Sequence, residues 1–250
     1  MKNIKMAEYK KVTPYGNAVD SKKSQVTSMF DKVAPYYDFL NRLLSLRIDV
    51  LWRKKALRLL QKNDPKIILD IATGTADMAI MSTKIWSPEK IIGLDISKEM
   101  LKVGQTKIDK KELSHIIKLE NGDSENLHFE DESFDTVMAA FGVRNFENLE
   151  NGLSEMNRVL QKDGTCMILE FSRPRVFPLK QIFNVYFKYI LPVIGKITSK
   201  DPKAYEYLYE SVQVFPDYDN FASILKKTGF VDITYKPLSF GICTIYLAKK

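Results

Sequence analysis

The chain has 250 residues, 45% of them hydrophobic and 28% charged, which is ordinary for a globular protein with one large α/β domain. No uncharged apolar run approaches the roughly 18 residues of a membrane span, and the lysine-rich N-terminus lacks the apolar core of a signal peptide, so we expect a cytoplasmic protein. Cys166 and Cys243 lie in apolar runs, and the two histidines are not spaced as metal ligands. These features argue against a disulfide framework, a zinc site and a histidine-based triad.

The net charge of +7 is concentrated near the N-terminus. Residues 1–62 contain 14 Lys and Arg but only 5 Asp and Glu, whereas the rest of the chain is nearly balanced. Such an excess suits nucleic acid, the anionic face of a membrane, or simply a solvated surface. Residues 1–20 show no periodicity and contain Pro14 and Gly16, so we predict a flexible tail there.

Three helical patterns precede the first strand, at about residues 24–33, 36–46 and 50–60. They fall outside the alternation of strands and helices that follows. We therefore predict that residues 21–62 form a helical lid over the carboxyl ends of the strands, where open α/β sheets bind their ligands.

From residue 63 onward, apolar runs of strand length alternate with helical patterns, which is typical of a parallel α/β sheet. The predicted strands are 67–71, 91–95, 115–119, 134–140, 165–171, 231–235 and 242–248. Beyond the second strand, helices are predicted at 97–111, 147–160, 179–197 and 218–228. The last two strands have no helix between them and form an antiparallel hairpin. We predict a single domain over residues 21–250, with an α/β core at 63–250 and a helical insertion at 176–215.

A glycine turn ends the first predicted strand. Its apolar run breaks at Gly74, where a ligand can approach the backbone closely, and the helix that follows offers unpaired N–H groups. Asp95 closes the second apolar run, 21 residues after Gly74, where a carboxylate can accept both hydroxyls of a ribose. Together these features predict a nucleoside-binding βαβ unit.

The turn is not a dinucleotide fingerprint, because residues 72–77 read ATGTAD and lack the glycine triplet of G-x-G-x-x-G. It resembles the first motif of the S-adenosylmethionine-dependent methyltransferases, D-x-x-x-G-x-G-x, through Asp70 and Gly74, with Ala76 where a second glycine is common. This resemblance implies S-adenosylmethionine as cofactor. It also implies the Rossmann-like class I methyltransferase fold, a seven-stranded and mainly parallel sheet with an antiparallel edge hairpin.

Further motifs resemble the menaquinone/ubiquinone C-methyltransferase family. They are FDxVAxxYDxxN from residue 30, FGVRN from residue 141, and RVLxxxG with LEFSxP from residue 158, and matches continue through YxYLxxS at 205–211 to about residue 249. Arg47 and Asp49 depart from the resemblance, since the family usually has glycine and histidine at these positions. The family acts by transferring a methyl group to a ring carbon of a prenylated hydroquinone, without a metal or a covalent nucleophile. We expect demethylmenaquinol as acceptor, and a prenylated benzoquinol is the alternative.

The resemblance also implies site residues. For the cofactor they are Asp95 at the ribose, Thr75 near the methionine end, Asp123 and Ser124 at the adenine, and Asp70 and Gly74 shaping the first turn. For the acceptor, Arg144 would stabilise the developing phenolate and Asn145 would orient an oxygen or a water. Tyr37 and Asp38 are further catalytic candidates. Packing of the N-terminal helices would explain those two almost as well, and Asp123 would also suit a loop cap.

Residues 177–196 carry too many apolar side chains for a helix that buries one stripe, with lysines between them. We predict peripheral contact with the inner face of the membrane through this stretch, including Phe183 and Phe187, and through the basic N-terminal segment. A helix packed inside the protein, or a homodimer contact, is the alternative. An NAD-dependent reductase is disfavoured by the missing glycine triplet. A nucleic-acid-binding module would leave Asp95 and Asp123 unexplained, so no nucleic-acid partner is expected.

Overall fold

A computed structural model describes residues 12–16, 19–190, 201 and 203–250. Its strands are β1 (Ile67–Ile71), β2 (Lys90–Asp95), β3 (Ile117–Asn121), β4 (Phe134–Ala140), β5 (Leu160–Phe171), β6 (Val231–Leu238) and β7 (Cys243–Lys249). They form one sheet in the order β3-β2-β1-β4-β5-β7-β6. Strands β1 to β5 pair in parallel, and β7 runs antiparallel to both of its neighbours. The predicted fold, a seven-stranded and mainly parallel sheet with an antiparallel edge hairpin, is confirmed.

Helices cover the sheet and the ends of its strands. They are α1 (Lys22–Val33), α2 (Tyr37–Leu44), α3 (Ile48–Leu60), α4 (Asp77–Ser82), α5 (Lys98–Asp109), α6 (Leu149–Val159), α7 (Leu179–Val185, continued by a π-helical turn at Tyr186–Ile190), α8 (Lys203–Val214) and α9 (Asp219–Lys227). Ser97 caps the N-terminus of α5, because its hydroxyl accepts a hydrogen bond from the Met100 N–H. Within the described part of the chain, no helix is long and apolar enough to cross a membrane.

The core has two layers of side chains, one on each face of the sheet. Helices α6 and α9 cover one face, and α3, α4 and α5 cover the other. Helix α3, predicted as part of the lid over residues 21–62, packs on a face of the sheet through its C-terminal half. Its Ala56 and Leu57 are fully buried against the sheet, and together with Leu60 they form an ordinary core-facing stripe.

Helices α1 and α2 lie over the carboxyl ends of the strands. Helix α1 packs on α5, where Val33 and Ala34 meet Met100. Part of the predicted flexible tail joins this layer, since Val12 and Tyr15 pack against α1 and the Tyr15 N–H donates to Gln25. The rest of the predicted tail, residues 1–11 and 17–18, lies outside the described residues, as do residues 191–197 of the predicted insertion helix.

The turn between α2 and α3 explains why the family usually has glycine at position 47, where this chain has arginine. Leu46 and Arg47 both have left-handed backbone conformations, with φ of 49° and 63°. Glycine adopts this conformation without the steric cost that a side chain brings, which accounts for the usual glycine at position 47.

Both cysteines are buried free thiols, and burial raises the pKa of each.

Candidate active site

Two pockets share a wall at the carboxyl ends of the strands. The smaller, about 70 Å³, lies at the ends of β1 and β2 and is called here the strand pocket; it is lined by Gly74 and Asp95 among others. The larger, about 320 Å³, lies among α1, α2, α3, α7 and α8 and is called the helix pocket. Phe30, Tyr37 and Phe141 line both. The two pockets are therefore adjacent and meet at this wall.

Asp95 holds the first turn in place at the floor of the strand pocket. It is 8% exposed, and its two carboxylate oxygens accept hydrogen bonds from the Gly74 N–H at 2.8 Å and the Ser97 N–H at 2.8 Å. Burial raises the pKa of Asp95 to about 6, and these backbone hydrogen bonds oppose the rise. Gly74 has a φ of 57°, and a Cβ built there would meet nothing within 4 Å. The space over this turn is open, so a ligand can lie against its backbone.

Asp123 and Ser124 line the same pocket in the loop after β3. One Asp123 oxygen accepts the Glu125 N–H at 2.9 Å, which is the loop cap considered as an alternative. The other accepts the Lys23 ammonium from α1 at 2.6 Å. Sequence reasoning did not single out Lys23, because nothing in its local pattern distinguishes it from the other basic residues of the N-terminal segment.

Asp70 at the end of β1, Thr75 in the turn and Asp38 on α2 line neither pocket. Asp70 accepts the Thr73 hydroxyl at 2.6 Å, and burial raises the pKa of Asp70 to about 7. The Thr75 hydroxyl donates to Asp38 at 2.5 Å, and Lys107 donates to the second Asp38 oxygen at 2.7 Å. This geometry joins α2 to the turn after β1 and to α5.

Arg144 lies on the turn that follows β4 and lines the helix pocket. Its guanidinium is 3.0 Å from Glu170 at the end of β5 and also donates to the Phe141 carbonyl. Glu170 is fully buried, which raises its pKa, and the charge of Arg144 opposes that rise. The Arg144 Nε has no hydrogen-bond partner within the described chain. Sequence reasoning quoted Glu170 in a family motif but gave it no role, although an acidic residue inside a buried strand was the available signal.

Asn145 and Tyr37 complete the boundary between the pockets. Asn145 follows Arg144 on the same turn but lines the strand pocket, and its Oδ1 has no partner among the described residues. Tyr37 lines both pockets. Burial of the Tyr37 hydroxyl raises its pKa, whereas the charge of Arg53 and a hydrogen bond with Asn41 lower it. Arg144 and Asn145 thus present polar groups to different pockets from one short turn.

The strand order and the position of the strand pocket define a class I methyltransferase fold. Solved structures agree. The [4+2]-cyclase SpnF superposes with a TM-score of 0.67 at 14% identity, covering 91% of this chain and 96% of that one. A possible histamine N-methyltransferase from Thermotoga maritima superposes with a TM-score of 0.62 at 16% identity, covering 90% and 99%. At these identities the similarity concerns the fold.

The chain belongs to the ubiE/COQ5 methyltransferase family, whose sequence profile matches residues 18–250. A relative from Bacteroides fragilis named demethylmenaquinone methyltransferase is 46% identical over 96% of this chain and 98% of its own length. A relative from Geotalea uraniireducens named ubiquinone/menaquinone biosynthesis C-methyltransferase UbiE is 40% identical over 92% and 97%. The predicted family and the predicted class, an S-adenosylmethionine-dependent C-methyltransferase, are confirmed.

Proposed function

We propose that this chain transfers a methyl group from S-adenosylmethionine to a ring carbon of prenylated demethylmenaquinol. The observation that carries the proposal is the shared wall of the two pockets, with Asn145 on one side and Arg144 on the other. The relatives named for demethylmenaquinone support a naphthoquinol acceptor. The relative named for both quinones makes a prenylated benzoquinol the second candidate.

The residues of the strand pocket fit S-adenosylmethionine. Asp95 keeps lone pairs free to accept the ribose hydroxyls, and the open space over Gly74 leaves room for the ligand beside the backbone. Asp123 can accept a hydrogen bond from the adenine amine in place of the Lys23 ammonium, while Ser124 offers its backbone N–H to a ring nitrogen. When bound, the cofactor supplies an electrophilic methyl group on a positively charged sulfur.

The helix pocket fits a hydroquinone ring with an apolar tail. Its walls are mainly aliphatic and aromatic, and two guanidinium groups line it, Arg53 over the Phe141 ring and Arg144 over the Phe171 ring. A ring carbon becomes nucleophilic when the neighbouring hydroxyl loses its proton, and a guanidinium stabilises the phenolate that forms. Arginine itself stays protonated, so we assign the proton to a water and the electrostatic role to Arg144. Tyr37 and Phe141 align the two ligands across the wall and exclude water.

Cofactor affinity is expected to fall as the pH drops below about 6. Asp95 must be a carboxylate to accept both ribose hydroxyls, and its raised pKa of about 6 places its protonation in this range. We expect Asp95→Asn to bind S-adenosylmethionine at least about ten-fold more weakly at pH 8, because a charge-assisted hydrogen bond contributes roughly 1.5–3 kcal/mol. Its affinity should also be nearly independent of pH between about 5 and 8.

Isothermal titration calorimetry at several pH values measures these affinities. Asparagine keeps one acceptor for the backbone N–H groups of Gly74 and Ser97, whereas alanine would release both. Asp70→Asn is the control, since a transition caused by Asp70 would be centred near its own pKa of about 7. Unchanged affinity in Asp95→Asn at pH 8 would contradict the assignment of Asp95 to the ribose.

We further propose that the mouth of the helix pocket docks on the membrane. Three segments that line this pocket, the α2–α3 turn, α7 and the β6–β7 turn, also carry exposed large apolar side chains. These side chains are Leu46, Ile48, Leu51, Phe177, Ile182, Val185, Tyr189 and Phe240. Lys54, Lys55 and Arg58 share the exposed face of α3 with Leu51 and would attract anionic lipid. A prenyl tail could then pass from the bilayer into the pocket without crossing water.

The prediction that Phe183 contacts the membrane is wrong. Phe183 is 4% exposed and packs against Leu40 and Val212, so it forms a wall of the helix pocket. Helix α7 is apolar on two sides. One side, with Phe183, packs in the pocket wall, and the other has Ile182 and Val185 exposed at the surface. The side chain of Phe187 lies outside the described residues.

Flotation with liposomes that contain anionic lipid tests the docking surface. The parent protein is expected to float at low salt, and the double variant Phe177→Glu with Phe240→Glu is expected to bind at least about 100-fold more weakly, because each buried phenylalanine contributes roughly 1.5–3 kcal/mol. Val231→Glu, which changes an exposed apolar residue at the far end of β6, is the control and should float. A parent protein that stays at the bottom of the gradient, or that forms a dimer through this surface, would contradict membrane docking.

The reaction itself is tested with purified protein, methyl-labelled S-adenosylmethionine and two reduced acceptors, a short-chain demethylmenaquinol and a prenylated benzoquinol of equal tail length. We expect label on a ring carbon of the naphthoquinol. Label on the benzoquinol alone would favour the second candidate. Label on neither acceptor would contradict quinol methylation.

A further inference from the structure

Tyr207, on α8, has a buried hydroxyl with no hydrogen-bond partner among the described residues. The residue is 2% exposed, and its ring packs against Val26 and Met29 of α1. It also lines the helix pocket. Buried hydroxyls are nearly always paired, because leaving one unpaired costs free energy that folding must offset. An unpaired hydroxyl on a pocket wall therefore points to a partner that arrives with the ligand.

The surroundings of this hydroxyl make it a donor. Burial raises the pKa of Tyr207, the nearby charge of Glu170 adds to the rise, and the charge of Arg144 opposes it. The hydroxyl thus keeps its proton at every physiological pH. Helix α8 packs against the turn that carries Arg144, whose Nε is also unpaired within the described chain. With the unpaired Nε of Arg53, three of the described residues with an unsatisfied buried donor consequently line one largely apolar pocket.

Other buried tyrosines of this chain show what a structural hydroxyl looks like. The Tyr246 hydroxyl accepts the Tyr218 N–H at 2.7 Å inside the core, and Tyr246 lines neither pocket. The Tyr186 hydroxyl, near the mouth of the helix pocket, donates to the Leu44 carbonyl at 2.7 Å. Tyr207 differs from both because it has the burial of a core tyrosine without the partner.

We propose that the Tyr207 hydroxyl donates a hydrogen bond to an oxygen of the acceptor ring and so holds the ring against Arg144. This inference rests on the proposed function, since it requires an acceptor with oxygens on its ring. A hydroquinone has two such oxygens, and within the described chain Tyr207 and Arg144 each have an unpaired buried donor on a residue that lines this pocket. A pocket whose buried donors lack a partner discriminates strongly against a ligand without the matching acceptor. Tyr207 is therefore a specificity-determining residue for oxygenated rings.

The test is Tyr207→Phe, which keeps the ring and removes only the hydroxyl. We expect the KM for the quinol to rise and kcat/KM to fall about ten-fold, with unchanged affinity for S-adenosylmethionine. The melting temperature should stay the same or rise, because the ligand-free protein loses an unsatisfied group. A prenylated naphthalene without ring oxygens, used as a competitive inhibitor, should bind the parent and the variant equally well.

Tyr246→Phe is the matched control, since it removes a hydroxyl that does have a structural partner. Its melting temperature should fall while its KM for the quinol stays unchanged. The inference is overturned if Tyr207→Phe leaves the KM unchanged, if it lowers the melting temperature as Tyr246→Phe does, or if it weakens the oxygen-free inhibitor as much as the quinol. A parent protein that methylates no quinol overturns the proposed function instead, and the assignment of Tyr207 falls with it.

Discussion

Replacing Arg144 by lysine is expected to lower kcat by at least about 100-fold while leaving S-adenosylmethionine affinity unchanged. The Nη1 nitrogen of the guanidinium contacts both Glu170 and the Phe141 carbonyl, so the Nε edge of the same planar group stays unpaired among the described residues and can donate to a ring oxygen. Lysine keeps the charge as a single point. It would pair with Glu170 and leave the developing phenolate without a donor.

Single-turnover assays with labelled cofactor measure the methyl-transfer step, and calorimetry measures cofactor binding. Arg173→Lys is the control, since Arg173 also pairs with a buried carboxylate, that of Asp217 at 2.9 and 3.0 Å, but lines neither pocket. Its turnover is expected to stay within a few-fold of the parent. If Arg144→Lys transfers methyl at the parent rate, Arg144 has only a structural role.

The second large effect concerns stability. Asp49→Ala is expected to lower the free energy of unfolding by about 3–5 kcal/mol, because it leaves a buried charge without its counter-ion. Asp49 is 4% exposed, contacts both Arg42 and Arg53, and accepts the Ser45 hydroxyl at 2.7 Å. Arg53 is itself 5% exposed and has no other carboxylate in its described ion pairs.

Urea unfolding of parent and variants measures this difference. Glu99→Ala removes one member of an exposed ion pair with Lys102 and should change the free energy of unfolding by less than about 1 kcal/mol. An Asp49→Ala variant as stable as Glu99→Ala would show that the cluster contributes little. The carboxylate at position 49, where the family usually has histidine, neutralises the buried Arg53 guanidinium, whereas Arg42 also pairs with Asp77.

The sheet and the first turn could be predicted because their signals are local. Buried parallel strands are continuous apolar runs, and β4 spans residues 134–140 as predicted. Neighbouring parallel strands end at one edge, so Gly74 and Asp95 had to lie close together. The packing of α3 on the sheet could not be predicted, because an apolar stripe is the same whether it faces a sheet or covers a pocket.

The side-chain pairs that organise the site could not be predicted from local pattern. Thr75 and Asp38 are 37 residues apart, Arg144 and Glu170 are 26 apart, and Lys23 and Asp123 are 100 apart. Such pairs depend on how the helices pack over the strand ends, which local sequence patterns do not indicate. The same holds for Phe183, since a helix that is apolar on most sides suits both a buried wall and a membrane surface.

A crystal structure with S-adenosylhomocysteine and a short-chain demethylmenaquinone tests the account most directly, because it shows both ligands at once. We predict the adenosine in the strand pocket with its ribose on Asp95, the quinone ring in the helix pocket with one oxygen at Arg144, and the sulfur facing the ring across Tyr37 and Phe141. A ring bound outside the helix pocket, or a sulfur that points away from it, would contradict methyl transfer between these two pockets.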